Sequence, residues 1–417
     1  MRETKDSGIE WIGEIPKEWK KTRGGFIYKI QTGKKDAVAE NPQGKYAFFT
    51  CSKEQKKTDN YCFDTEALLV AGNGIVGYTQ YFKGKFDAYQ RTYVLSDFKN
   101  INPIFLKYYV SNNLITEVTP KSQGSVIQFI KYDDLKNFNI VLPSLQEQSR
   151  IASFLDSKCS EIDSLHSDIN EQIETLKEYK KSVITEAVTK GLNPDAEMKD
   201  SGIEWIGKIP SHWQVKRFKY AVESLNKGNG ITKEDVKDDG NIQCIRYGEI
   251  YSKYSVSVSK TFSRTDEEII SSPKHIKYGD ILFSGTGELV EEIGKNIVYL
   301  GMDPCLAGGD IIIAKHNQEP RFLNYAANSV YMQNQKSFGK AKLKVVHIST
   351  TEIGNLLIAF PSLEEQQQIA DYLDSKCSEI DSIIESKQQQ LETLEQYKKS
   401  LIYEYVTGKK EVPNNAV

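Results

Sequence analysis

The chain has 417 residues, of which 39% are hydrophobic and 27% are charged, and its formal net charge is −3. This length predicts two or three domains with cores of their own, and the composition is typical of a globular protein rather than a disordered one. No apolar run approaches the ~18 residues of a membrane span, and residues 1–6 do not resemble a signal peptide, so we expect a cytoplasmic protein. The six cysteines include no CxxC pair and the five histidines no HExxH motif, so we expect reduced cysteines and no bound metal.

The chain contains an internal repeat. Residues 5–13 (KDSGIEWIG) return unchanged at 199–207, and residues 155–164 (LDSKCSEIDS) return unchanged at 373–382. The stretches between these matched segments barely resemble each other. Identical segments around diverged inserts favour one scaffold that presents two different recognition surfaces, an arrangement that suits a two-part target.

Charge is distributed unevenly along the chain. The first insert, residues 20–141, carries a net charge of +7, and the second insert, residues 214–359, carries +2. The segments 142–198 and 360–410 carry −5 and −4. Nucleic acid would therefore be attracted to the inserts and repelled by the repeated segments, and an ordinary solvated surface is the alternative interpretation.

Both inserts are predicted to be mixed α/β. Short strands are expected at 46–50, 67–70, 75–82 and 91–95, and in the second insert at 242–247, 280–283, 296–299 and 310–313. A short helix that starts with proline is expected after Asn102 and again after Glu319. Because the two inserts also end alike, we expect one fold with diverged surfaces.

Two near-motifs of the first insert do not indicate catalysis. Gly72-Asn-Gly-Ile-Val-Gly77 fits the GxGxxG pattern, but a β-rich run follows it and the counterpart at 285–290 lacks the third glycine. This predicts a glycine-rich strand connection rather than a cofactor loop. Asn102-Pro-Ile-Phe105 lacks the second proline of the adenine-methyltransferase signature, and the sequence shows no convincing Walker A motif or nucleophile elbow. We therefore predict no catalytic residue.

The repeated acidic segments are predicted to be long helices. Ser144 with Glu147, and Ser362 with Glu365, have the spacing of capping boxes. Apolar residues then fall at seven-residue steps, as expected for a coiled coil: Leu155, Ile162, Ile169, Leu176 and Val183, and in the second copy Leu373, Ile380, Leu394 and Leu401. Two equivalent helices related by an approximate two-fold axis are expected to pack antiparallel.

These motifs resemble one family. The run KDSGIEWIGxIPxxW at 5–19 and 199–213, with LPSLQEQ at 142–148 and FPSLEEQ at 360–366, is similar to specificity subunits of Type I restriction-modification systems. The resemblance covers essentially the whole chain. It implies a DNA-binding subunit without catalysis, in which each of two target-recognition domains binds half of an interrupted, asymmetric sequence and the helices set the gap.

The resemblance also implies partners and cofactors. Double-stranded DNA, two modification (methyltransferase) subunits and restriction subunits are the expected partners, and no membrane is involved. S-adenosylmethionine, ATP and Mg are expected on those partner subunits, and no cofactor is expected on this chain. The alternative is a non-catalytic coiled-coil scaffold that binds proteins through its paired domains, although the charge of the first insert weighs against it.

The expected fold class is α+β, with two mixed α/β target-recognition domains joined by two long antiparallel coiled-coil helices in an internal pseudo-two-fold repeat. The predicted division is 1–141 for the first recognition domain, 142–192 for the first helix, 193–359 for the second recognition domain, 360–410 for the second helix and 411–417 for a tail.

Candidate DNA contacts are chosen by side-chain chemistry. Lysines suit phosphates, whereas Asn and Gln pair with adenine and Arg with guanine. In the first insert, the phosphate candidates are Lys34, Lys35, Lys53, Lys56, Lys57, Lys83, Lys85 and Lys121, and the base candidates are Asn73, Gln90, Arg91 and Gln123. In the second insert, the phosphate candidates are Lys227, Lys253, Lys260, Lys295, Lys340, Lys342 and Lys344, and the base candidates are Asn229, Arg246, Tyr247 and Thr286.

Overall fold

The computed structural model describes residues 2–118, 129–340 and 345–413. The chain divides into two compact units. Unit 1 comprises Met1–Asn170 and Gln388–Val417, and unit 2 comprises Glu171–Lys387. The boundaries between the units fall within two long helices. The predicted domain boundaries fall elsewhere in the chain, and they stay a prediction.

The first part of the chain ends in a long helix. Its elements are β1 (Thr4–Asp6), β2 (Glu14–Pro16), β3 (Lys20–Arg23), α1 (Gly24–Ile27), β4 (Lys29–Thr32), β5 (Tyr46–Phe49), β6 (Lys56–Thr58), β7 (Phe63–Ala71), β8 (Thr79–Ala88), β9 (Thr92–Ser96), α2 (Pro103–Val118), α3 (Tyr132–Lys136), β10 (Asn139–Leu142) and α4 (Leu145–Lys190).

The second part repeats this order with shorter strands. Its elements are β11 (Met198–Asp200), β12 (Lys208–Pro210), β13 (Gln214–Arg217), β14 (Ser224–Lys227), β15 (Ile242–Ile245), α5 (Tyr247–Ser252), β16 (Ser257–Val258), β17 (Ser263–Thr265), β18 (His275–Ile276), β19 (Ile281–Ser284), β20 (Thr286–Gly287), β21 (Asn296–Tyr299), β22 (Cys305–Ala307), β23 (Ile311–Lys315), α6 (Pro320–Asn328), α7 (Val330–Ser337), β24 (Val346–His347), α8 (Thr350–Asn355), β25 (Leu357–Phe360) and α9 (Leu363–Val406).

The main sheet of unit 1 has six strands in the order β4-β9-β7-β8-β5-β6. The long strands β7 and β8 are antiparallel, and β5 pairs parallel with the end of β8. In unit 2 the counterparts of β7 and β8 are each broken into two short strands. One sheet is therefore replaced by two, in the orders β14-β23-β19-β21-β16 and β17-β15-β22-β18.

The predicted strands are found with shifted ends. The largest difference concerns the strand predicted at 75–82, because β8 starts only at Thr79. Gly74 and Gly77 have φ of 63° and 79°, and this left-handed backbone makes a turn of the glycine-rich segment. The segment is thus a strand connection, as predicted. The proline-started helices are α2 and α6, and α2 is longer than the short helix that we expected.

Each insert is fixed to the first turns of its long helix by the same hydrogen bonds. Gln148 Oε1 accepts from the Asn102 backbone N–H at 2.7 Å, and its Nε2 donates to the Pro143 carbonyl at 3.0 Å. The Tyr108 hydroxyl donates to Asp156 Oδ1 at 2.7 Å. Burial and this hydrogen bond raise the pKa of Tyr108, so the phenol stays protonated.

Unit 2 repeats these contacts residue for residue. Gln366 accepts from the Glu319 N–H at 3.1 Å and donates to the Pro361 carbonyl at 3.2 Å. The Tyr325 hydroxyl donates to Asp374 at 2.8 Å. Helix α2 of unit 1 and helix α6 of unit 2 are therefore attached at equivalent positions of the long helices.

The predicted capping boxes differ in one detail. In α9, Ser362 Oγ accepts from the Glu365 N–H and the Glu365 carboxylate accepts from the Ser362 N–H. In α4, Ser144 Oγ accepts from the Glu147 N–H, but the Glu147 carboxylate accepts from Arg2 and from the Trp19 indole. Glu365 likewise accepts from the Trp213 indole at 3.2 Å, so each acidic side chain also ties the repeated N-terminal motif of its unit to a helix start.

Within each unit, the long helices run antiparallel. In unit 1, Lys398 Nζ of α9 lies 2.5 Å from Asp163 of α4, and the Phe154 and Tyr405 rings are 4.6 Å apart. In unit 2, Lys180 Nζ lies 2.6 Å from Asp381, and Lys387 Nζ donates to Gln172 Oε1 at 2.5 Å. Residues that lie later in α4 contact residues that lie earlier in α9, which confirms the predicted antiparallel arrangement.

The seven-residue stripe is only partly buried. Leu155, Ile162, Val183, Leu373 and Ile380 are buried, as expected for the seam of a coiled coil. The flanking residues Leu165, Tyr179, Ile383 and Tyr397 are exposed, because two paired helices cover only a narrow seam. None of the helices within the described ranges is long and apolar enough to cross a membrane.

Candidate nucleic-acid interface

Four connections of unit 1 meet at one end of its main sheet. We call residues 33–36, 51–54, 72–77 and 89–91 the first loop cluster. The Gly72 N–H donates to the Arg91 carbonyl at 2.9 Å. The Gln90 N–H donates to the Lys35 carbonyl at 2.9 Å, and the Ile75 N–H donates to the Cys51 carbonyl at 3.1 Å. These backbone bonds hold the loops together without using side chains, so the side chains are free to vary.

Glycines make the close crossings possible. A Cβ on Gly33 would lie 1.7 Å from the Ala88 carbonyl oxygen, and one on Gly72 would lie 2.5 Å from the Arg91 carbonyl oxygen. Any side chain at either position would push two loops apart. The loop geometry is therefore encoded by the backbone and by residue size.

Unit 2 builds the same crossings. We call residues 228–233, 246–248, 285–288 and 308–310 the second loop cluster. The Gly285 N–H donates to the Asp310 carbonyl at 2.6 Å, as Gly72 does to Arg91. The Gly228 N–H donates to the Ile311 carbonyl at 2.8 Å, and the equivalent Gly33 N–H donates to the Thr92 carbonyl at 3.4 Å. Two diverged inserts thus share one loop scaffold.

The first loop cluster contains six of the predicted contact residues, of which all but Lys35 face outwards. Lys34, Lys53, Gln90 and Arg91 are exposed on it, and Asn73 is half-buried. Gln90 Nε2 lies 3.5 Å from Asp36 Oδ2, which orients its amide. No carboxylate pairs with Lys34, Lys53 or Arg91 among the described residues. This surface therefore combines cations suited to phosphates with amide and guanidinium groups suited to base edges.

Lys35, although part of this loop, points into the fold. Its Nζ lies 3.0 Å from Oδ2 of the fully buried Asp87, an ion pair without hydrogen-bond geometry, and donates to Thr58 Oγ1 at 3.0 Å. Four further predicted lysines, Lys56, Lys57, Lys83 and Lys85, lie on strands. Lys56 pairs with Glu40 and Lys83 lies 4.0 Å from Glu66.

Two lysines of these strands have no carboxylate partner among the described residues. Lys85 Nζ lies 4.7 Å from the centroid of the Tyr61 ring, and Lys57 is exposed on β6. Lys121 and Gln123 lie outside the described residues.

The second loop cluster gathers a different set of side chains. Asn229 donates to the carbonyls of Ser271 and Ser272, and Thr286 Oγ1 lies 3.1 Å from His347 Nδ1. Lys227, the last residue of β14, lies immediately before the cluster. Arg246 and Tyr247 lie beside Gly308 and Gly309. Positions that carry Lys34 and Arg91 in unit 1 carry Asn229 and Asp310 here, so the chemistry of the two clusters differs where the backbone is shared.

The other candidates of the second insert lie outside this cluster. Lys253 approaches Glu249 at 3.5 Å, Lys295 donates to the Tyr251 carbonyl at 3.4 Å, and Lys340 pairs with Glu352 at 2.7 Å. Lys260 is exposed after β16. Lys342 and Lys344 lie outside the described residues.

Sequence reasoning missed three features of the second loop cluster. Lys233 is exposed on it, Gly308–Gly309 line it without side chains, and Glu249 lies buried behind it. The Arg246–Glu249 spacing of three residues, typical of a capping interaction, was the available signal for Glu249. For every candidate residue, DNA contact stays a prediction.

Comparison with known proteins gives one consistent family. Residues 16–175 and 210–396 match the Type I restriction modification DNA specificity domain. The chain is 27% identical to the Type I restriction enzyme MjaVIII specificity subunit of Methanocaldococcus jannaschii, over 96% of this chain and 95% of that protein. It is 31% identical to the EcoDI specificity subunit of Escherichia coli over 52% of this chain, a match that spans only 51% of that relative.

Solved structures share the fold. A chain from a structure on complex assembly and conformational transition of the type I R-M system has a TM-score of 0.71 at 15% identity, covering 95% of this chain and 99% of that one. The HsdS subunit from Thermoanaerobacter tengcongensis has a TM-score of 0.51, also at 15% identity, covering 95% and 98%.

Two glycines of one loop give a matched test of the crossing. A Cβ on Gly228 would lie 2.1 Å from the Gly308 carbonyl oxygen, whereas one on Gly230 would meet nothing within 4 Å. We expect Gly228→Ala to lower the free energy of unfolding by about 1–3 kcal/mol and Gly230→Ala to leave it nearly unchanged. Urea unfolding of both variants measures this, and equal stabilities would contradict the proposed crossing.

Neighbouring lysines separate a structural role from a surface role. Lys35→Met leaves the Asp87 carboxylate buried without its cation, so we expect a loss of about 3–5 kcal/mol of unfolding free energy. Lys34→Met should change it by less than about 0.5 kcal/mol. If the double variant Lys35→Met/Asp87→Asn regains the lost unfolding free energy, the ion pair is confirmed as the cause. If Lys35→Met alone leaves the unfolding free energy unchanged, Asp87 needs no cationic partner.

Proposed function

This chain belongs to the family of Type I restriction modification DNA specificity proteins, and from that premise we propose that it recognises a bipartite, asymmetric DNA sequence. Each loop cluster would bind one half-site. The observation that carries the proposal is the pair of loop clusters, in which one backbone arrangement presents different side chains. Two different surfaces require two different half-sites, so the target would not be palindromic.

The partners follow from the same proposal. We propose that the chain has no catalytic activity of its own and joins two modification subunits, which methylate adenine with S-adenosylmethionine, to restriction subunits that use ATP and Mg. The proposed location is the cytoplasm. Binding by phosphate contacts agrees with the unpaired lysines of the loop clusters, since base contacts alone carry specificity but little affinity.

Matched exposed residues support a partner that is present twice. Leu165 and Ile383 occupy equivalent positions of α4 and α9 and are 51% and 41% exposed. Tyr179 and Tyr397 are likewise equivalent, and each is 55% exposed. Apolar side chains that stay exposed at the same place in both repeats suit the docking of two copies of one protein. We assign them to the modification subunits.

Lys34→Ala and Arg91→Ala test DNA binding directly. With the modification subunits bound, Lys34→Ala should weaken binding to all duplexes alike and lower the slope of log K against log salt by about 1. Arg91→Ala should instead relax discrimination at one position of one half-site, at a cost of about 1–3 kcal/mol. Competition binding on duplexes that differ at single base pairs distinguishes the two.

Lys181→Ala is the control, because this exposed helix lysine is paired with Glu178 and should leave DNA binding unchanged. Binding that ignores salt concentration in every variant would favour a protein-binding scaffold instead. An effect of Arg91→Ala on both half-sites would contradict separate recognition by the two inserts.

The helices are proposed to fix the distance between the half-sites. Seven residues inserted between Asn170 and Glu171 of α4, together with seven between Lys387 and Gln388 of α9, would preserve the stripe and the contacts within each unit. Each helix would lengthen by roughly 10 Å. We therefore expect the gap in the DNA target to grow by about three base pairs, with both half-sites unchanged.

Insertion into α4 alone is the matched control. It should destabilise the protein, because the Asp163–Lys398 and Lys180–Asp381 pairs could no longer both keep their register. Sequencing of methylated adenines reports the gap. An unchanged gap in an active doubly extended complex would rule out the spacer role.

A further inference from the structure

Unit 2 contains a cavity of about 460 Å³ at its loop cluster. The walls come from three segments: Ile231–Lys233, Arg246–Lys253 and Gly308–Gly309. Unit 1 has no counterpart of α5 at this place, because the connection that leaves Phe49 reaches β6 directly whereas the one that leaves Ile245 passes through α5 and β16 before β17. The cavity is therefore a local addition to the shared scaffold.

A buried carboxylate holds two cations in this wall. Glu249 is 3% exposed, and it accepts from the Arg246 backbone N–H at 3.0 Å and from the Ser263 hydroxyl. Arg246 Nη2 and Lys253 Nζ lie 3.4 Å and 3.5 Å from Glu249 Oε1. These contacts fix the guanidinium of Arg246 against a rigid support, which a phosphate contact would not require.

The guanidinium keeps unused donors. Arg246 Nη1 has no hydrogen-bond partner among the described residues and the side chain is 25% exposed, whereas Nε is buried and out of reach from the cavity. On the opposite side, Gly308 and Gly309 offer only backbone, and Gly308 packs directly against Arg246: a Cβ built on it would lie 3.5 Å from Arg246 Cα. A planar group with paired acceptors can therefore approach the guanidinium without meeting side chains from that wall.

We propose that this cavity receives the edge of a guanine in the half-site of unit 2, with Arg246 as its specificity-determining residue and Glu249 as the positioning residue. The inference rests on the proposed function and names the base. Arginine pairs through two hydrogen bonds with the O6 and N7 acceptors of guanine, which no other base pair presents together on one base. Lys233, exposed on the rim, contacts an adjacent phosphate.

Methyl transfer by the complete complex tests this on duplexes that each change one base pair of the natural target. Arg246→Ala should reduce discrimination at one guanine by roughly 5- to 150-fold, and Arg246→Gln should shift preference there towards adenine. Glu249→Gln should weaken the same discrimination. Lys233→Ala should lower methylation of all duplexes equally, and the half-site altered by Arg91→Ala should stay unchanged in the Arg246 variants.

A second measurement needs no variant. Replacing single guanines by 7-deazaguanine removes the N7 acceptor, and with the unaltered protein one guanine of the half-site of unit 2 should prove sensitive. Uniformly weaker methylation by Arg246→Ala with unchanged base preference would show a phosphate contact and overturn the proposal. So would the absence of any N7-sensitive guanine from that half-site. Either result leaves bipartite recognition intact, whereas a chain whose complex methylates no bipartite sequence would refute the proposed function itself.

Discussion

The fixed attachment of each insert to the start of its long helix is the constraint on which the rest of the structure depends. Gln148 and Gln366 each connect the helix start to the backbone before α2 or α6, and Tyr108 and Tyr325 each donate to an aspartate two turns further on. Gln148, Gln366, Tyr108 and Tyr325 are buried, so a variant that removes the partner of one of these side chains leaves it unsatisfied at a cost of about 1–3 kcal/mol. The orientation of each insert on its helix is thus determined by contacts that are the same in both units.

This attachment explains how the recognition surfaces can diverge. The loop clusters are held by backbone hydrogen bonds and by glycines at their crossings, so few of their side chains are needed for folding. Exceptions are visible: Lys35 neutralises buried Asp87, and Glu249 organises Arg246 and Lys253. Elsewhere, a substitution at an exposed loop position changes chemistry without changing the scaffold.

Much of the fold could be predicted because its signals are local. The proline–serine–glutamate pattern marked the helix starts, the seven-residue stripe predicted long paired helices, and the internal repeat predicted their antiparallel orientation. In unit 2, the counterparts of β7 and β8 are broken into shorter strands. This break was not predictable, since it depends on pairing between distant segments. The same holds for the site. Residue chemistry selected Lys34 and Arg91, but it could not distinguish Lys34 from Lys35, whose partner Asp87 comes from a distant strand. In the sequence, a lysine that will be exposed cannot be distinguished from one that will be neutralised, because only the tertiary structure brings a carboxylate to it.

The most direct test of the account is to sequence the methylated adenines in a host that carries this chain with the proposed modification subunits. If one scaffold presents two different recognition surfaces, the methylated sequence will consist of two different half-sites separated by a gap of unspecified bases, and deleting the chain will abolish this methylation. A single uninterrupted sequence, a palindrome, or methylation that persists without the chain would contradict it.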